Sequence, residues 1–228
     1  MINSGNPHLF KKLPYDPIKD FTPVARVCNF LFILAVPADQ PIKTVDELRS
    51  FAKANPNKVS FAYGNSTGQI AGAAFNTLAG LNALAVPYKS SPQALTALAG
   101  GEVTFLFVDL ASSQALLKAG RLRALAITTE TKSQLMPALP TLASSANLPG
   151  FDLAAWVGVV GPAGLPVDVT ARLSASINRI LARKDVVEKL TSLGADVSPG
   201  TSAELQAYMS RQYTVWRDKI KEAGIQPE

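Results

Sequence analysis

The sequence has few of the residues on which most enzyme and metal sites depend. Its 228 residues include a single histidine, His8, and a single cysteine, Cys28. One cysteine excludes an intrachain disulfide, and the pair falls short of the several nitrogen and sulfur ligands of a zinc site. A Ser-His-Asp arrangement would depend on His8, which lies in a proline-rich segment, and no nucleophile elbow of the G-x-S-x-G type occurs. The sequence therefore predicts no metal, no redox cofactor and no enzyme activity.

Long basic and long apolar runs are also missing. Lys and Arg number 22 against 17 Asp and Glu, a formal charge of +5, but four never occur in a row. Nucleic-acid binding needs clustered basic side chains, so this diffuse charge predicts no nucleic-acid partner. The longest apolar run, Phe30–Val36, is far shorter than the ~20 residues of a membrane span. The first eight residues lack the basic and apolar regions of a signal peptide, which predicts a cytoplasmic protein if Met1 is the true start.

What the sequence does contain is ample material for a folded core. Apolar residues make up 47% and charged residues 17%, which excludes a disordered chain. From residue 30 to residue 128, short apolar strands alternate with helical patterns. This alternation predicts an α/β domain with a largely parallel sheet covered by helices. Residues 1–29 contain four prolines, and we expect an extended connector there.

The last third of the chain shows three helical patterns but one clear strand, Trp156–Val160. A single strand cannot form a sheet. The strand therefore either joins the central sheet or belongs to a second sheet whose other strands lie elsewhere. Two S/T-x-x-E patterns, starting at Thr44 and Thr201, predict capping boxes at the starts of helices.

The most informative turn follows a predicted strand and opens a predicted helix. After Gly64 it consists of Asn65, Ser66, Thr67, Gly68 and Gln69. Backbone N–H groups and the positive end of the helix dipole meet at such a position and favour a carboxylate or phosphate. The alternative is ordinary turn chemistry with an N-cap, which uses the same residue types. The turn has neither the lysine of a P-loop nor the spacing of a dinucleotide-binding loop.

Two further strand ends have candidate ligand-binding residues. Asp109 ends an apolar strand, where ligands bind in open α/β sheets, but a cap for the next helix is an equal alternative. Tyr88 opens a second strand-to-helix turn with Lys89 and two serines. Its polar groups could face a cleft, although Ser91 is better explained as a helix cap followed by a first-turn proline.

Several blocks of the sequence resemble the Bug/TctC family, the solute-binding proteins of tripartite tricarboxylate transporters. The order and spacing of these blocks agree with the family over nearly the whole chain. They are Leu13–Val24, Val86–Lys89, Gly120–Ala126, Leu139–Thr141 and Trp156–Pro166.

The resemblance implies a two-domain fold of the periplasmic-binding-protein kind, similar to type II. It also implies periplasmic capture of a small organic carboxylate in an interdomain cleft, for delivery to membrane transporter subunits. The ligand class would be a dicarboxylate, tricarboxylate, aromatic acid or amino acid. The residues expected to bind the ligand are Asn65, Ser66, Thr67, Gly68, Gln69, Tyr88, Asp109, Asn3 and Ser4.

Relatives begin with a signal peptide, a strand and a proline- and glycine-rich loop that this sequence does not show. The resemblance therefore implies an N-terminally truncated chain. We expect a complete second domain at residues 30–146 and a remnant of the first domain at residues 1–29 and 147–228. The partner strands of Trp156–Val160 would then be missing, and the exposed faces would favour a homo-oligomer.

Two other functions remain open at this stage. A cytoplasmic small-molecule sensor or a protein-interaction module could use the same fold without transport. An enzyme would need a nucleophile such as Ser66 or Thr67, and the sequence offers no base beside them.

Overall fold

The computed structural model describes residues 3–227, which form two compact units. The first unit takes its described residues from Met1–Phe30, Ala155–Asp218 and Gln226–Glu228. The second unit comprises Leu31–Ala154 and Lys219–Ile225. Each unit has a β-sheet of its own, with three strands in the first and five in the second.

The bounds of the elements follow the chain. In the first unit they are α1 (Asn6–Leu9), β1 (Phe21–Phe30), β7 (Ala155–Pro162), α7 (Val167–Leu181), α8 (Lys184–Ser192), β8 (Ala195–Gly200) and α9 (Ser202–Glu222), whose residues from Lys219 onward belong to the second unit. In the second unit they are β2 (Phe32–Pro37), α2 (Val45–Ala54), β3 (Ser60–Tyr63), α3 (Ser66–Leu78), β4 (Leu84–Pro87), α4 (Ser91–Ala99), β5 (Phe105–Asp109), α5 (Leu110–Lys118), β6 (Leu122–Ile127) and α6 (Leu142–Ser145).

The five-stranded sheet of the second unit has the order β4-β3-β5-β2-β6. β3 pairs in parallel with β4 and β5, whereas β2 is antiparallel to both β5 and β6. The α/β class is confirmed, and four of the five strands, β3, β4, β5 and β6, run in one direction as expected, with β2 as the one reversed strand. Every residue of β2 is buried. An uninterrupted apolar sequence indicates that both faces of a strand are buried, but it does not indicate whether the strand runs parallel or antiparallel to its neighbours.

The three-stranded sheet of the first unit has the order β7-β1-β8, with both pairs antiparallel. The partner of Trp156 therefore lies within this chain, at Asn29, and the expectation of missing partner strands was wrong. Residues 21–30 form the central strand rather than a connector. Pro23 is tolerated because it lies near the start of β1, beside a register shift. β8 escaped the sequence analysis because its residues ADVSPG include several weak strand formers.

Aromatic packing forms the core of the second unit. Rings on α3 and β3, on β5, and on the segment before β7 lie with centroids 5.5 to 6.2 Å apart, and all are at most 1% exposed. These rings belong to Phe61, Phe75, Phe105, Phe107 and Phe151. Burial of each such side chain contributes about 1.5–3 kcal/mol. A Cβ on Gly72 would lie 2.4 Å from the Phe61 ring, so the close packing of α3 on β3 requires this glycine.

Both predicted capping boxes are confirmed. The Thr44 hydroxyl accepts from the Glu47 N–H at 3.1 Å, and the Glu47 carboxylate accepts from the Thr44 N–H at 3.2 Å. At the start of α9, the Thr201 hydroxyl accepts from the Glu204 N–H at 3.3 Å, and the Glu204 carboxylate accepts from the Thr201 N–H at 2.7 Å. Each box satisfies two backbone donors that the helix itself leaves unpaired.

The stability of the protein should fall as the pH drops below about 6.5, because His8 is half-buried. Its ring lies edge-on to Tyr213 with centroids 4.4 Å apart, and Nε2 is 3.0 Å from the Tyr213 carbonyl oxygen. Burial lowers the pKa of His8 in the folded chain. The unfolded chain therefore takes up the proton at a higher pH, and acidification favours unfolding.

Urea unfolding at pH 7.5 and at pH 5.5 measures this effect. Because His8 is the only histidine, His8→Gln should remove most of the difference in the free energy of unfolding between the two pH values. The same difference in both proteins would show that His8 does not cause it.

Candidate functional site

The sheet topology of the second unit brings three helix N-termini to one edge. β3, β4 and β5 are adjacent and parallel, so their carboxyl ends lie at the same edge of the sheet. After β3, β4 and β5 come the helices α3, α4 and α5 respectively, with at most three residues between strand and helix. Helix N-termini present unpaired N–H groups and partial positive charge, so this edge, named here the carboxyl edge, favours an anion.

Asn65 links two of the turns at the carboxyl edge. It is the N-cap of α3, and its Oδ1 accepts from the Gly68 N–H at 2.8 Å. Its Nδ2 donates to the Ser91 hydroxyl at 2.9 Å. Asn65 and Ser66 are exposed, whereas Thr67 is only 5% exposed. The N–H groups of Ser66 and Thr67 lie in the first helical turn, where no intrahelical acceptor is available.

The remaining residues of the predicted anion loop have structural contacts. Gln69 is half-buried, and its N–H closes the first turn of α3 on the Asn65 carbonyl at 3.0 Å. A Cβ on Gly68 would lie 2.7 Å from the Phe107 carbonyl oxygen, so α3 begins directly against β5. Of the two alternatives for this turn, the N-cap is observed at Asn65, and anion binding stays a prediction.

Gly64 brings the β3–α3 turn against the β4–α4 turn. A Cβ at this position would lie 2.2 Å from the Ser90 carbonyl carbon and 2.3 Å from the Ser91 nitrogen. Contact with backbone atoms cannot be relieved by a rotamer change. The sequence marked Gly64 as part of a loop, but this contact depends on the pairing of β3 with β4 and has no local signal.

The prediction that Ser91 caps α4 was wrong. The N-cap is Ser90, whose side chain makes no capping hydrogen bond, and Ser91 is the first helical residue with Pro92 after it. The Ser91 hydroxyl instead accepts from Asn65. Its part in the carboxyl edge could have been found only from the spatial proximity of the two turns.

Asp109 ends β5 and is the N-cap of α5. Its Oδ1 accepts from the Ser112 N–H at 2.8 Å, and its carbonyl accepts from the Ser113 hydroxyl at 3.1 Å. Of the two alternatives for Asp109, the helix cap is therefore observed. A ligand contact at this position stays a prediction.

Tyr88 follows β4 and extends its pairing, since its N–H donates to the Tyr63 carbonyl at 2.9 Å. Its side chain is partly exposed and lies near Glu102. Partial burial, followed by the charge of Glu102 and the hydrogen bond to it, raises the pKa of Tyr88. A role of Tyr88 toward a ligand stays a prediction.

Asn3 and Ser4 belong to the first unit. Asn3 Nδ2 donates to the Pro17 carbonyl at 2.9 Å, and Trp156 Nε1 donates to the Ser4 hydroxyl at 3.3 Å. Ser4 has no exposed surface. These contacts fix the N-terminal segment within its unit, and a ligand contact by either residue stays a prediction.

Neither a metal centre nor a membrane span is found in the part of the chain that the structure describes. Across residues 3–227, His, Cys, Asp and Glu form no group of three or more that could hold an ion. Over the same range, no helix combines the length and apolarity needed to cross a bilayer.

A family model described as "Tripartite tricarboxylate transporter family receptor", TctC, matches residues 1–225. The chain belongs to the TctC family. This confirms the resemblance drawn from the sequence. The chain is 34% identical over 216 residues to the UPF0065 protein in the tcbD-tcbE intergenic region of Pseudomonas sp. (strain P51). That match covers 93% of this chain but only 64% of the relative's length.

Solved structures of the family share the fold. One is described as R. palustris Rpa4515 with adipate, with a TM-score of 0.83 and 32% identity over all of this chain and 76% of that one. Another is MatC (Rpa3494) from Rhodopseudomonas palustris with bound malate, with a TM-score of 0.75 and 29% identity over 96% of this chain and 76% of that one. These TctC proteins are solute-binding proteins and not enzymes, and the periplasmic-binding-protein fold is confirmed.

Replacing Gly64 by alanine should disrupt the carboxyl edge. The added Cβ would force the backbone at Ser90 to move, and overpacking of this kind costs about 1–3 kcal/mol. We expect a lower melting temperature for Gly64→Ala in a thermal melt.

Gly100→Ala is the matched control, because its Cβ would meet atoms no closer than 3.4 Å. Equal melting temperatures of Gly64→Ala and Gly100→Ala would contradict the proposed requirement for Gly64.

Proposed function

We propose that this TctC protein captures a small dicarboxylate at the carboxyl edge of its second unit. The observation that carries the proposal is the hydrogen bond from Asn65 Nδ2 to the Ser91 hydroxyl, which holds two helix N-termini side by side. Asn65 and Ser66 are exposed at this edge, at the positive end of the α3 dipole, and the N–H groups of Ser66 and Thr67 have no acceptor within the helix. The relatives solved with adipate and with malate support a dicarboxylate as the ligand class.

The anion would be held without an arginine. Neither residues 64–69 nor residues 88–91 include one, and Lys89 is the single cation of the two turns. A helix N-terminus stabilises an anion by about 0.3–1 kcal/mol at an exposed site, and by up to about 2 kcal/mol in a partly buried one. Direct hydrogen bonds from the N–H and hydroxyl donors to the carboxylate would add to this contribution.

The remaining parts of the proposal follow the family. We propose that the protein acts outside the cytoplasm and delivers its ligand to membrane subunits of a tripartite tricarboxylate transporter. Two relatives with TM-scores of 0.80 and 0.78 are described as a periplasmic transporter and as the periplasmic binding protein BugD, which supports this location.

A dicarboxylate should raise the melting temperature of the full chain. A ligand that binds only the folded state stabilises it by RT ln(1 + [L]/Kd), about 2.7 kcal/mol at one hundred times the dissociation constant. Adipate and malate are the first compounds to test. Adipamide has the carbon chain of adipate without its charges and should give no shift.

A shift of equal size with adipamide would argue against recognition of the carboxylates. The absence of any shift with a wide panel of dicarboxylates would contradict the proposed ligand class.

Substitution of Asn65 should separate binding from stability. Asn65→Asp keeps a capping oxygen for the Gly68 N–H, so we expect a melting temperature close to that of the original chain. Its added negative charge should weaken dicarboxylate binding by tenfold or more, measured by calorimetric titration. Asn65→Ala removes the cap as well and should lower the free energy of unfolding by about 1 kcal/mol.

Asn82→Asp supplies the matched control. Asn82 is exposed and precedes β4, so the same charge is introduced at the opposite edge of the sheet. Equal affinities of Asn65→Asp and Asn82→Asp would place the ligand elsewhere.

A further inference from the structure

The helices that begin at the carboxyl edge differ in charge from the other longer helices. α2, α7, α8 and α9 each have an acidic residue in the first turn, where it compensates the positive end of the helix dipole. α3, α4 and α5 have none. Asp109 supplies a negative charge as the N-cap of α5, whereas the N-caps of α3 and α4 are the neutral residues Asn65 and Ser90. The positive potential of this edge is therefore least compensated at α3 and α4.

Lys89 adds a full positive charge at the start of α4. It lies immediately before the N-cap Ser90, and its N–H donates to the side-chain oxygen of Gln93 at 3.2 Å, which holds its backbone against the first helical turn. A cation beside a helix N-terminus is unfavourable, because both are positive. Within residues 3–227, no Asp or Glu oxygen lies within 4.0 Å of the exposed Lys89 ammonium group. An anion at this turn would remove the unfavourable interaction.

The strand order sets the positions of the charged residues along the edge. β3 lies between β4 and β5, so Lys89 after β4 and Asp109 after β5 are on opposite sides of the turn that contains Asn65. Adjacent strands are about 4.8 Å apart, so the ends of β4 and β5 are about 10 Å apart. The edge thus changes from positive at β4, through neutral donors at β3, to negative at β5.

We propose that Lys89 is a specificity-determining residue, which makes the site prefer a dicarboxylate to a monocarboxylate. The inference rests on the proposed function, in which one carboxylate is bound at the N-terminus of α3. A second carboxylate directed toward β4 is attracted by the Lys89 ammonium group, whereas one directed toward β5 is repelled by Asp109. The neutral donors at Asn65 and Ser66 act on one carboxylate, so they do not by themselves distinguish the two classes of acid.

Matched pairs of acids test the role of Lys89 in the full chain. Hexanoate has the carbon chain of adipate with a methyl group in place of one carboxylate, and beta-hydroxybutyrate stands in the same relation to malate. Calorimetric titration at constant ionic strength gives the affinity of each acid. The ratio of the affinities within a pair then measures the contribution of the second carboxylate.

Lys89→Met should lower this ratio. An exposed ion pair contributes at most about fivefold to affinity, so we expect the ratio to fall by about three- to fivefold. Lys89→Arg keeps the charge and should preserve most of the ratio. Added salt should reduce the ratio of the original chain toward that of Lys89→Met, because an exposed pair is screened.

Lys58→Met is the matched control. Lys58 is exposed and precedes β3, so the substitution removes the same charge at the opposite edge of the sheet. It should leave the ratio unchanged. Since Lys58 and Lys89 are both exposed, thermal melts should show the same melting temperature for the two variants and the original chain.

Asp109→Asn tests the direction of the ligand. Asparagine keeps an oxygen for the Ser112 N–H and therefore preserves the cap of α5. Because the second carboxylate is directed away from β5, we expect the ratio to rise by less than about twofold. A rise larger than the fall caused by Lys89→Met would direct the second carboxylate toward β5 and overturn the proposal.

Two further outcomes would overturn the inference. Equal ratios for Lys89→Met and Lys58→Met would exclude Lys89 as a specificity-determining residue. Binding of neither adipate nor malate to the original chain would remove the function on which the inference rests. Asn65→Asp distinguishes the two failures, because it should weaken both acids of a pair. If it does so while Lys89→Met leaves the ratio unchanged, the proposed function stands and the role of Lys89 alone is wrong.

Discussion

The parallel pairing of β3 with both β4 and β5 is the constraint on which the candidate site depends. Three neighbouring strands that run in one direction must deliver their following helices to the same edge of the sheet. Because Gly64 has no side chain, the backbone of the β3–α3 turn can pack directly against the backbone of the β4–α4 turn. Asn65 then joins the two turns by a side-chain hydrogen bond. The donors at this edge are therefore fixed by the sheet, which limits the entropy that must be lost when a ligand is bound.

Much of the second unit could be predicted from its sequence. The alternation of apolar strands with amphipathic helices correctly indicated an α/β unit, and Thr44 with Glu47 correctly marked the start of α2. Strand direction could not be predicted, because β2 is buried on both faces and its pattern is the same for either orientation. In the first unit, β8 was missed because its residues are poor strand formers that β1 nevertheless pairs.

The candidate site was predictable only where its signal is local. An N-cap in the turn before α3, observed at Asn65, and Asp109 as a cap of α5 follow from residue type and position along the chain. The contact between Gly64 and Ser90, and the change of Ser91 from a cap to a hydrogen-bond acceptor, arise from the pairing of β3 with β4. Such contacts join residues 26 positions apart, and neither segment alone encodes them.

The kind of positive charge at the carboxyl edge has consequences for selectivity. The charge of the helix N-termini is partial, and its field falls off within about one turn. A ligand there must fit closely, so the shape and length of the acid can be discriminated. A full side-chain charge, such as that of Lys89, instead acts over a Debye length, about 8 Å at physiological salt, and selects by charge more than by shape. Helix termini therefore suit the recognition of one organic acid.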